Sequence, residues 1–146
     1  MKIIKFALKL IALSIATFSF SQKKNSGPVF HGATASLKEY KALYILNQSD
    51  DKEVKAIVRN INNALKDPRL KGKLKIELVA FGEGVEIFKR SNHCDTLLMS
   101  LKNKGVLLAE CENTLTEKKI SKDKLWDFIS YVPSGNGEII IRQYQG

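Results

Sequence analysis

The amino-acid sequence predicts one domain of the α/β class, built on a parallel sheet with helices on both faces. Its 146 residues suit a single domain, and hydrophobic residues make up 44% of them, which is enough for one core. Four short apolar runs alternate with segments of helical character. Alternating strands and helices favour a parallel sheet, because each helix returns the chain to the end of the sheet where the next strand begins.

The first predicted strand covers residues 41–47, which form a short apolar run typical of a strand buried on both faces. The Ser-Asp-Asp sequence after it can cap a helix, and Pro68 marks where that helix ends. Apolar residues recur in this helix at i, i+3, i+4 and i+7, which predicts one core-facing side made of Val54, Ile57, Val58, Ile61, Ala64 and Leu65.

The second and third predicted strands lie in the middle of the chain, at residues 74–81 and 106–110. Residues 84–104 between them are predicted to be helical, with a break near 90–93. Gly105 is a suitable residue to end this helical region.

The last third of the chain is predicted to hold two short helices, a fourth strand and a C-terminal helix. Thr114 and Glu117 have the spacing of a capping box, so a short helix is expected to begin at Thr114. Residues 122–128 are predicted to be helical as well. The fourth strand is expected at 128–132, and the C-terminal helix at 134–146.

Residues 1–21 have the pattern of a secretory signal peptide. Three lysines precede an apolar stretch, and small residues follow at the positions that a signal peptidase recognises. The apolar stretch is about half of the ~20 residues that a membrane-spanning helix needs, so no membrane span is expected after cleavage. A polar, flexible leader is predicted at 22–39 and the folded domain at 40–146, with export across the inner membrane to the periplasm.

Charge and motif spacing argue against several classes of site. The formal net charge is +9, or +6 without the three lysines of the signal peptide, but the remaining lysines are scattered among acids and predict no nucleic-acid site. The chain has no HxH, CxxC or HExxH spacing, so no metal site is predicted. In "GEGVEI" the third glycine of a dinucleotide loop is replaced by Ile87, and Glu83 would repel a phosphate. No cofactor is expected.

Cys111 directly follows the third predicted strand and is the candidate catalytic residue. The carboxyl ends of parallel strands share one edge of the sheet, where ligands of open α/β folds bind. Asn47 ends the first strand, Gly82 and Gly84 follow the second, and Asn113 lies just beyond the cysteine. These four residues are the predicted ligand-binding positions.

Opposing electrostatic effects are expected at the Cys111 thiol. The helix that begins after it favours a thiolate. Glu110 and Glu112 would raise its pKa if they lie near it in space, although neighbours on a strand point to opposite faces. A reactive thiol and a buried cysteine that only fills space both remain consistent with the sequence.

Cys94 is expected near the same edge, because a helix runs down the sheet from it and the third strand climbs back. Export makes a disulfide with Cys111 chemically possible, and the pair can also serve as attacking and resolving thiols. Shared position at an edge does not bring two sulfurs into contact, since a bond needs Cα atoms within about 7 Å. Two free thiols, simply buried, are the other outcome.

Four segments of the chain resemble the DsrE/DsrF-like family, also called the YchN-like or sulfur-relay family: "ALYILNQ", "LKIELVAFGEGVEIF", "GVLLAECENTL" and "YVPSGNGEIIIRQYQG". The resemblance covers about 41–146 and is greatest to an exported, poorly characterised branch. It implies a flavodoxin-like three-layer fold with a mostly parallel sheet of four to five strands, assembled as a homo-oligomer (trimer or hexamer). Related chains add a strand after the last helix, and this last family strand is expected to be missing here.

The resemblance also implies a function, because some family members carry persulfide sulfur on a cysteine, and the matching position is Cys111. The first hypothesis is therefore an exported domain that holds sulfane sulfur on Cys111 and passes it from a donor to an acceptor protein. The alternative is a non-catalytic oligomeric binding or assembly module in which Cys111 only packs. A thiol redox protein that uses Cys94 and Cys111 is a third hypothesis, which the lack of CxxC spacing disfavours.

Overall fold

The computed structural model describes Gly27 and residues 29–145. The chain divides into two compact units, residues 1–33 and residues 34–146. The described residues of the first unit are exposed and have no regular secondary structure. The predicted signal peptide lies outside the described residues, so export and periplasmic location stay predictions.

The second unit is an α/β fold with four parallel strands, which confirms the predicted fold class. The strands are β1 (Tyr40–Leu46), β2 (Leu74–Ala80), β3 (Leu107–Cys111) and β4 (Ser130–Val132). The helices are α1 (Asp51–Lys66), α2 (Asp95–Asn103), α3 (Glu112–Glu117) and α4 (Gly135–Gln145). The strands lie in the order β1-β2-β3-β4 and all run in the same direction.

The register of the strands assigns each side chain to one of two faces of the sheet. Leu78 of β2 pairs with Leu108 of β3, and Glu77 pairs with Leu107, so paired residues share a face while neighbours along a strand alternate. We call the side that carries Leu78 and Leu108 the core face. We call the side that carries Glu77, Leu107 and Cys111 the α4 face, because α4 packs against it.

The main hydrophobic core lies between the core face and the helices α1 and α2. It includes Val54, Val58, Ile61, Leu98 and Leu101 from the helices and Leu46, Ile76, Leu78 and Leu108 from the strands. Each such side chain contributes roughly 1.5–3 kcal/mol when it is fully buried. The predicted apolar stripe of the first helix therefore faces the core as its spacing indicated.

Helix α1 begins as the sequence predicted. Asp50 is its N-cap, and its carboxylate accepts hydrogen bonds from the backbone N–H groups of Lys52 at 2.9 Å and Glu53 at 3.2 Å. These two N–H groups have no partner inside the helix, so the cap satisfies them. The helix ends at Lys66, two residues before Pro68.

The region predicted as one broken helix at 84–104 is different in the structure. Two 3₁₀ helices, Gly82–Phe88 and Arg90–Asn92, precede α2. Three side chains of the first 3₁₀ helix are almost completely buried, at Val85, Ile87 and Phe88. A segment buried on several sides does not show the one-sided pattern of an amphipathic helix, so its periodicity was a poor guide.

Two other helix predictions were also wrong. Of the segment predicted to be helical at 122–128, only Lys122–Lys124 forms a helical turn, and Leu125 is extended and buried, with an antiparallel bridge to Lys89. The short helix predicted to begin at Thr114 begins at Glu112 instead. The hydroxyl of Thr114 accepts a bond from another loop and does not cap its own helix.

In the described part of the chain, α4 is the helix that lies on the α4 face. The N–H of Gly135, at its start, bonds Cys111 at the carboxyl end of β3, while Lys41 at the amino end of β1 donates to the carbonyl of Gln145. The helix therefore crosses the sheet obliquely. Ile45 and Leu107 on this face stay 42% and 41% exposed, so the second face is only partly covered.

The described residues include no helix that is both long and apolar enough to cross a bilayer.

Candidate functional site

The candidate site is centred on Cys111, the last residue of β3 and the residue that precedes α3. Its side chain lies on the α4 face and is 5% exposed. Because α3 begins immediately after it, the N–H groups of Asn113 and Thr114 belong to the first turn and have no partner within the helix. The chain thus places free backbone donors beside the sulfur.

A second helix start contributes another donor to the same sulfur. The backbone N–H of Gly135, the first residue of α4, donates to the Sγ atom of Cys111 at 3.2 Å. Gly135 can lie this close because it has no side chain: a Cβ there would be 2.9 Å from the ring of Phe81. Cys111, Gly135 and Phe81 therefore form one packed group at the carboxyl edge of the sheet.

These donors lower the pKa of the Cys111 thiol. Burial alone would raise it, but the N–H groups of Thr114 and Gly135, the hydroxyl of Thr114 and the N–H of Asn113 outweigh burial. The N–H of Asn113 is shared, since it also donates to the carbonyl of Pro133 at 3.3 Å. The site therefore favours the thiolate, which is the nucleophilic form of cysteine.

The two acids that flank Cys111 do not raise the pKa of its thiol in the way the sequence suggested. Glu110 is fully buried on the core face, and burial, followed by the negative charge at Cys111, raises its pKa to about 8. The nearby N–H of Cys111 offsets this only in part, and among the described residues neither carboxyl oxygen has a hydrogen-bond partner of good geometry. Burial thus favours the neutral form of Glu110, while Glu112 is paired with Lys122.

Thr114 connects the site to the loop after β2. Its hydroxyl oxygen accepts a hydrogen bond from the N–H of Gly82 at 2.9 Å, and Gly82 has a positive φ of 58° that suits glycine. The sequence predicted that Thr114 caps a helix, and it did not predict that the Thr114 hydroxyl lies between Gly82 and Cys111. Its position three residues after a strand-end cysteine was the available indication.

The structure places the predicted ligand-binding residues unequally around the thiol. Gly82 and Asn113 are linked to Cys111 through Thr114 and the first turn of α3. The side chain of Asn47 is exposed at the end of β1. Gly84 packs by its backbone against β1, where a Cβ would be 2.0 Å from the carbonyl oxygen of the residue before Asn47. Close packing therefore explains this glycine without a ligand.

Cys94 lies on the opposite side of the sheet from Cys111. It packs against the hydrophobic core, and both cysteines are free thiols. Its pKa is raised by burial and then by the charges of Asp51 and Asp95. Because Asp51 begins α1 at the carboxyl ends of the strands, Cys94 does lie near the expected edge, but it faces the core.

No group of three or more His, Cys, Asp or Glu side chains is arranged to hold a metal ion within the part of the chain that the structure describes.

Comparison with known proteins supports the fold and leaves the chemistry open. MTH1491, a protein of unknown function from Methanobacterium thermoautotrophicum, has a similar solved structure, with a TM-score of 0.69 and 28% sequence identity over 74% of this chain and 95% of that chain. No protein-family model matches this chain, and no curated protein matches it. The resemblance to the DsrE/DsrF-like family therefore stays a prediction.

Proposed function

We propose that this protein carries sulfane sulfur as a persulfide on Cys111. The observation that supports the proposal is the set of donors around the sulfur, drawn from the first turn of α3 and from Gly135 at the start of α4. A cysteine that only filled space would not need a pKa below its ordinary value. A thiolate held by backbone N–H groups suits repeated attack on sulfur–sulfur bonds.

The proposed transfer consists of two exchange steps. In the first, the Cys111 thiolate attacks the outer sulfur of a donor persulfide; a new S–S bond forms on the protein, the donor S–S bond breaks, and the donor leaves as a thiolate. In the second, an acceptor thiolate attacks the outer sulfur on Cys111 and becomes the persulfide, which restores the Cys111 thiolate. Neither step consumes an external oxidant or reductant.

The burial of Cys111 limits which donors can reach it. Cys111 is 5% exposed, and its sulfur is bonded by the N–H of Gly135, which packs against Phe81, so inorganic polysulfide fits the proposal better than a bulky persulfide. A donor protein would require the first turn of α4 to move. The expected donor and acceptor proteins, and export to the periplasm, belong to this proposal as predictions from the sequence.

The test is intact-mass analysis of the purified protein after incubation with polysulfide, before and after a reductant. We expect a reductant-reversible gain of one sulfur, about 32 Da, that is lost in Cys111→Ser and kept in Cys94→Ser. Cys94 is a matched control because it is also a free thiol, with a raised pKa. An adduct that forms equally on Cys94, or none on either thiol, would contradict persulfide carriage at Cys111.

A second candidate function, a non-catalytic assembly module, is favoured by the outer side of α4. Ile140, Ile141 and Tyr144 are 57%, 50% and 91% exposed and lie on one side of the helix at spacings of one, three and four residues. Exposed apolar groups of this kind are typical of interaction surfaces. In this candidate a second copy of the chain covers α4, and Cys111 contributes only packing.

Sedimentation velocity tests the assembly module. If α4 is an assembly surface, Ile140→Lys should shift the protein from oligomer to monomer, while Met99→Lys should leave its size unchanged. Met99 is a fair control because it is an exposed apolar residue on α2. A monomeric wild-type protein at all concentrations would exclude the assembly module without affecting the persulfide test.

A further inference from the structure

A groove on the α4 face, near the amino ends of the strands, is separate from the Cys111 site. Its volume is about 490 Å³, and its walls include Lys41, Leu43, Lys75, Glu77 and Leu107, with α4 along one side. The register gives their arrangement. The two lysines are directly paired across β1 and β2, and Leu43, Glu77 and Leu107 form the next row across three strands.

Glu77 supplies an unused hydrogen-bond acceptor to this groove. Its side chain is 9% exposed, and its Oε2 atom lies 2.7 Å from the Nε atom of Arg142 on α4. The same Nε atom also lies 2.7 Å from Oε1 of Glu138, so the two carboxylates share one guanidinium. The other oxygen of Glu77, Oε1, is buried and has no hydrogen-bond partner among the described residues. A buried carboxylate oxygen left without a donor is costly, so a ligand that brings a donor is favoured here.

The paired lysines, in contrast, favour a negatively charged group on the ligand. Neighbouring strands are about 4.8 Å apart, and like charges directly opposite each other on a sheet repel. Among the described residues, Lys41 donates to the carbonyl of Gln145, at 3.2 Å, and neither Lys41 nor Lys75 forms an ion pair. Glu39 also lines the groove, but it forms no ion pair with either lysine among the described residues. An anion placed between the lysines would relieve their repulsion.

We propose that the groove binds a small monocarboxylate that carries a hydroxyl group. Its carboxylate lies between Lys41 and Lys75, its hydroxyl donates to Oε1 of Glu77, and its apolar body packs on Leu43 and Leu107. Arg142 is shared between Glu77 and Glu138. A neutral hydroxyl still suits this part of the groove better than an ammonium group, because Lys41 and Lys75 in the adjacent row would repel a further cation. A doubly charged anion is disfavoured because Glu39 and Glu77 line the same groove.

The groove and Cys111 are about 13 Å apart along β3, since four residues separate Leu107 from Cys111 at about 3.3 Å per residue. The groove is therefore independent of persulfide chemistry. Binding in it should persist in Cys111→Ser, so the two proposals fail or hold separately.

The test is titration of the purified protein with 4-hydroxyphenylacetate, followed by the methyl signals of Leu43 and Leu107 in two-dimensional NMR. We expect saturable shifts with a dissociation constant below about 1 mM. Phenylacetate, which lacks the hydroxyl donor, should bind about tenfold more weakly, and tyramine, which replaces the carboxylate with an amine, should not bind.

Two variants complete the design. Lys75→Gln should weaken 4-hydroxyphenylacetate about tenfold or more, because it removes one of the two charges that hold the carboxylate. Lys71→Gln, at an exposed position outside the groove, should leave binding unchanged. Equal binding of the three compounds, or no saturable shift, would overturn the proposal. If the methyl signals of Leu43 and Leu107 shift with protein concentration but not with ligand, the proposal is overturned, and a second copy of the chain occupies the groove instead.

Discussion

The properties of Cys111 depend on residues that are distant from it in sequence. Gly135, whose N–H donates to its sulfur, comes 24 residues later and begins a different helix. Gly82, which is held by Thr114, comes from the loop after β2. The environment of the thiol is therefore formed by three chain segments that meet at the carboxyl edge of the sheet.

The first prediction concerns the hydroxyl of Thr114. Thr114→Val keeps the shape of the side chain but removes a donor to the Cys111 thiolate, so the pKa of Cys111 should rise by about half a unit to one unit. The pKa is measured from the ultraviolet absorbance of the thiolate against pH, with Cys94 replaced by serine in every sample. Thr116→Val is the matched control, because that hydroxyl is exposed and bonds the carbonyl of Glu112. An unchanged pKa in Thr114→Val would exclude Thr114 from this role.

The second prediction concerns the stability of the protein against pH. The pKa of Glu110 is about 8 in the folded protein because burial disfavours its charged form, whereas it is 4.5 when solvated. Between these two values the unfolded chain loses the proton that the folded chain keeps. Stability is therefore greatest below the lower value and falls as the pH rises through 8, by on the order of 3–5 kcal/mol.

The measurement is urea unfolding at a series of pH values from about 5 to 9, compared with Glu110→Gln. The glutamine cannot ionise, so the decline assigned to Glu110 should be absent from the variant, whatever its absolute stability. If wild type and variant lose stability in parallel across this range, then Glu110 is not the group that titrates.

At the scale of elements, the least predictable part of the fold is the 3₁₀ helix Gly82–Phe88. Its start is fixed by contacts with other segments: Gly82 bonds Thr114, and Gly84 lies against the carbonyl of Leu46 at the end of β1. Helical periodicity reports one buried side and one exposed side, and this segment does not have that division. The sequence shows its glycines but not what approaches them.

The third prediction tests this close approach. Gly84→Ala should destabilise the protein by about 3 kcal/mol, because the added Cβ would be 2.0 Å from a backbone oxygen that cannot easily move. Gly137→Ala, in the first turn of α4, should instead stabilise it by about 0.5–1 kcal/mol, since its Cβ meets only Ser134 at 3.4 Å. Both values come from urea unfolding. Equal effects of the two substitutions would show that Gly84 is not tightly packed.

At the scale of the whole molecule, the sheet is covered unequally. The core face is buried by α1 and α2, whereas the α4 face carries the thiol site at the start of α4 and the groove beside its later turns. β2 and β3 each pair with strands on both sides, while β4 has three residues and pairs with β3 alone among the described strands. The free energy of local opening should therefore be lower for β4 than for β2 and β3.

The fourth prediction follows from this difference. Amide protons of β2 and β3 should exchange with solvent only through global unfolding, whereas those of β4 should exchange through local opening at lower free energy. Native-state hydrogen exchange with increasing urea measures both. If β4 amides show the same urea dependence as β2 amides, the sheet opens as one unit.

The class of fold, the four strands, a cap for α1 within Ser-Asp-Asp, the core-facing stripe of α1 and the position of Cys111 at the end of β3 could all be predicted from the sequence. These features depend on local periodicity, on capping residues and on the shared direction of parallel strands. The donors from Thr114 and Gly135, the raised pKa of Glu110 and the separation of Cys94 from Cys111 could be seen only in the folded protein. Each of these depends on which distant segment lies against a residue and on how far it is removed from water, and neither quantity is present in the local pattern of the chain.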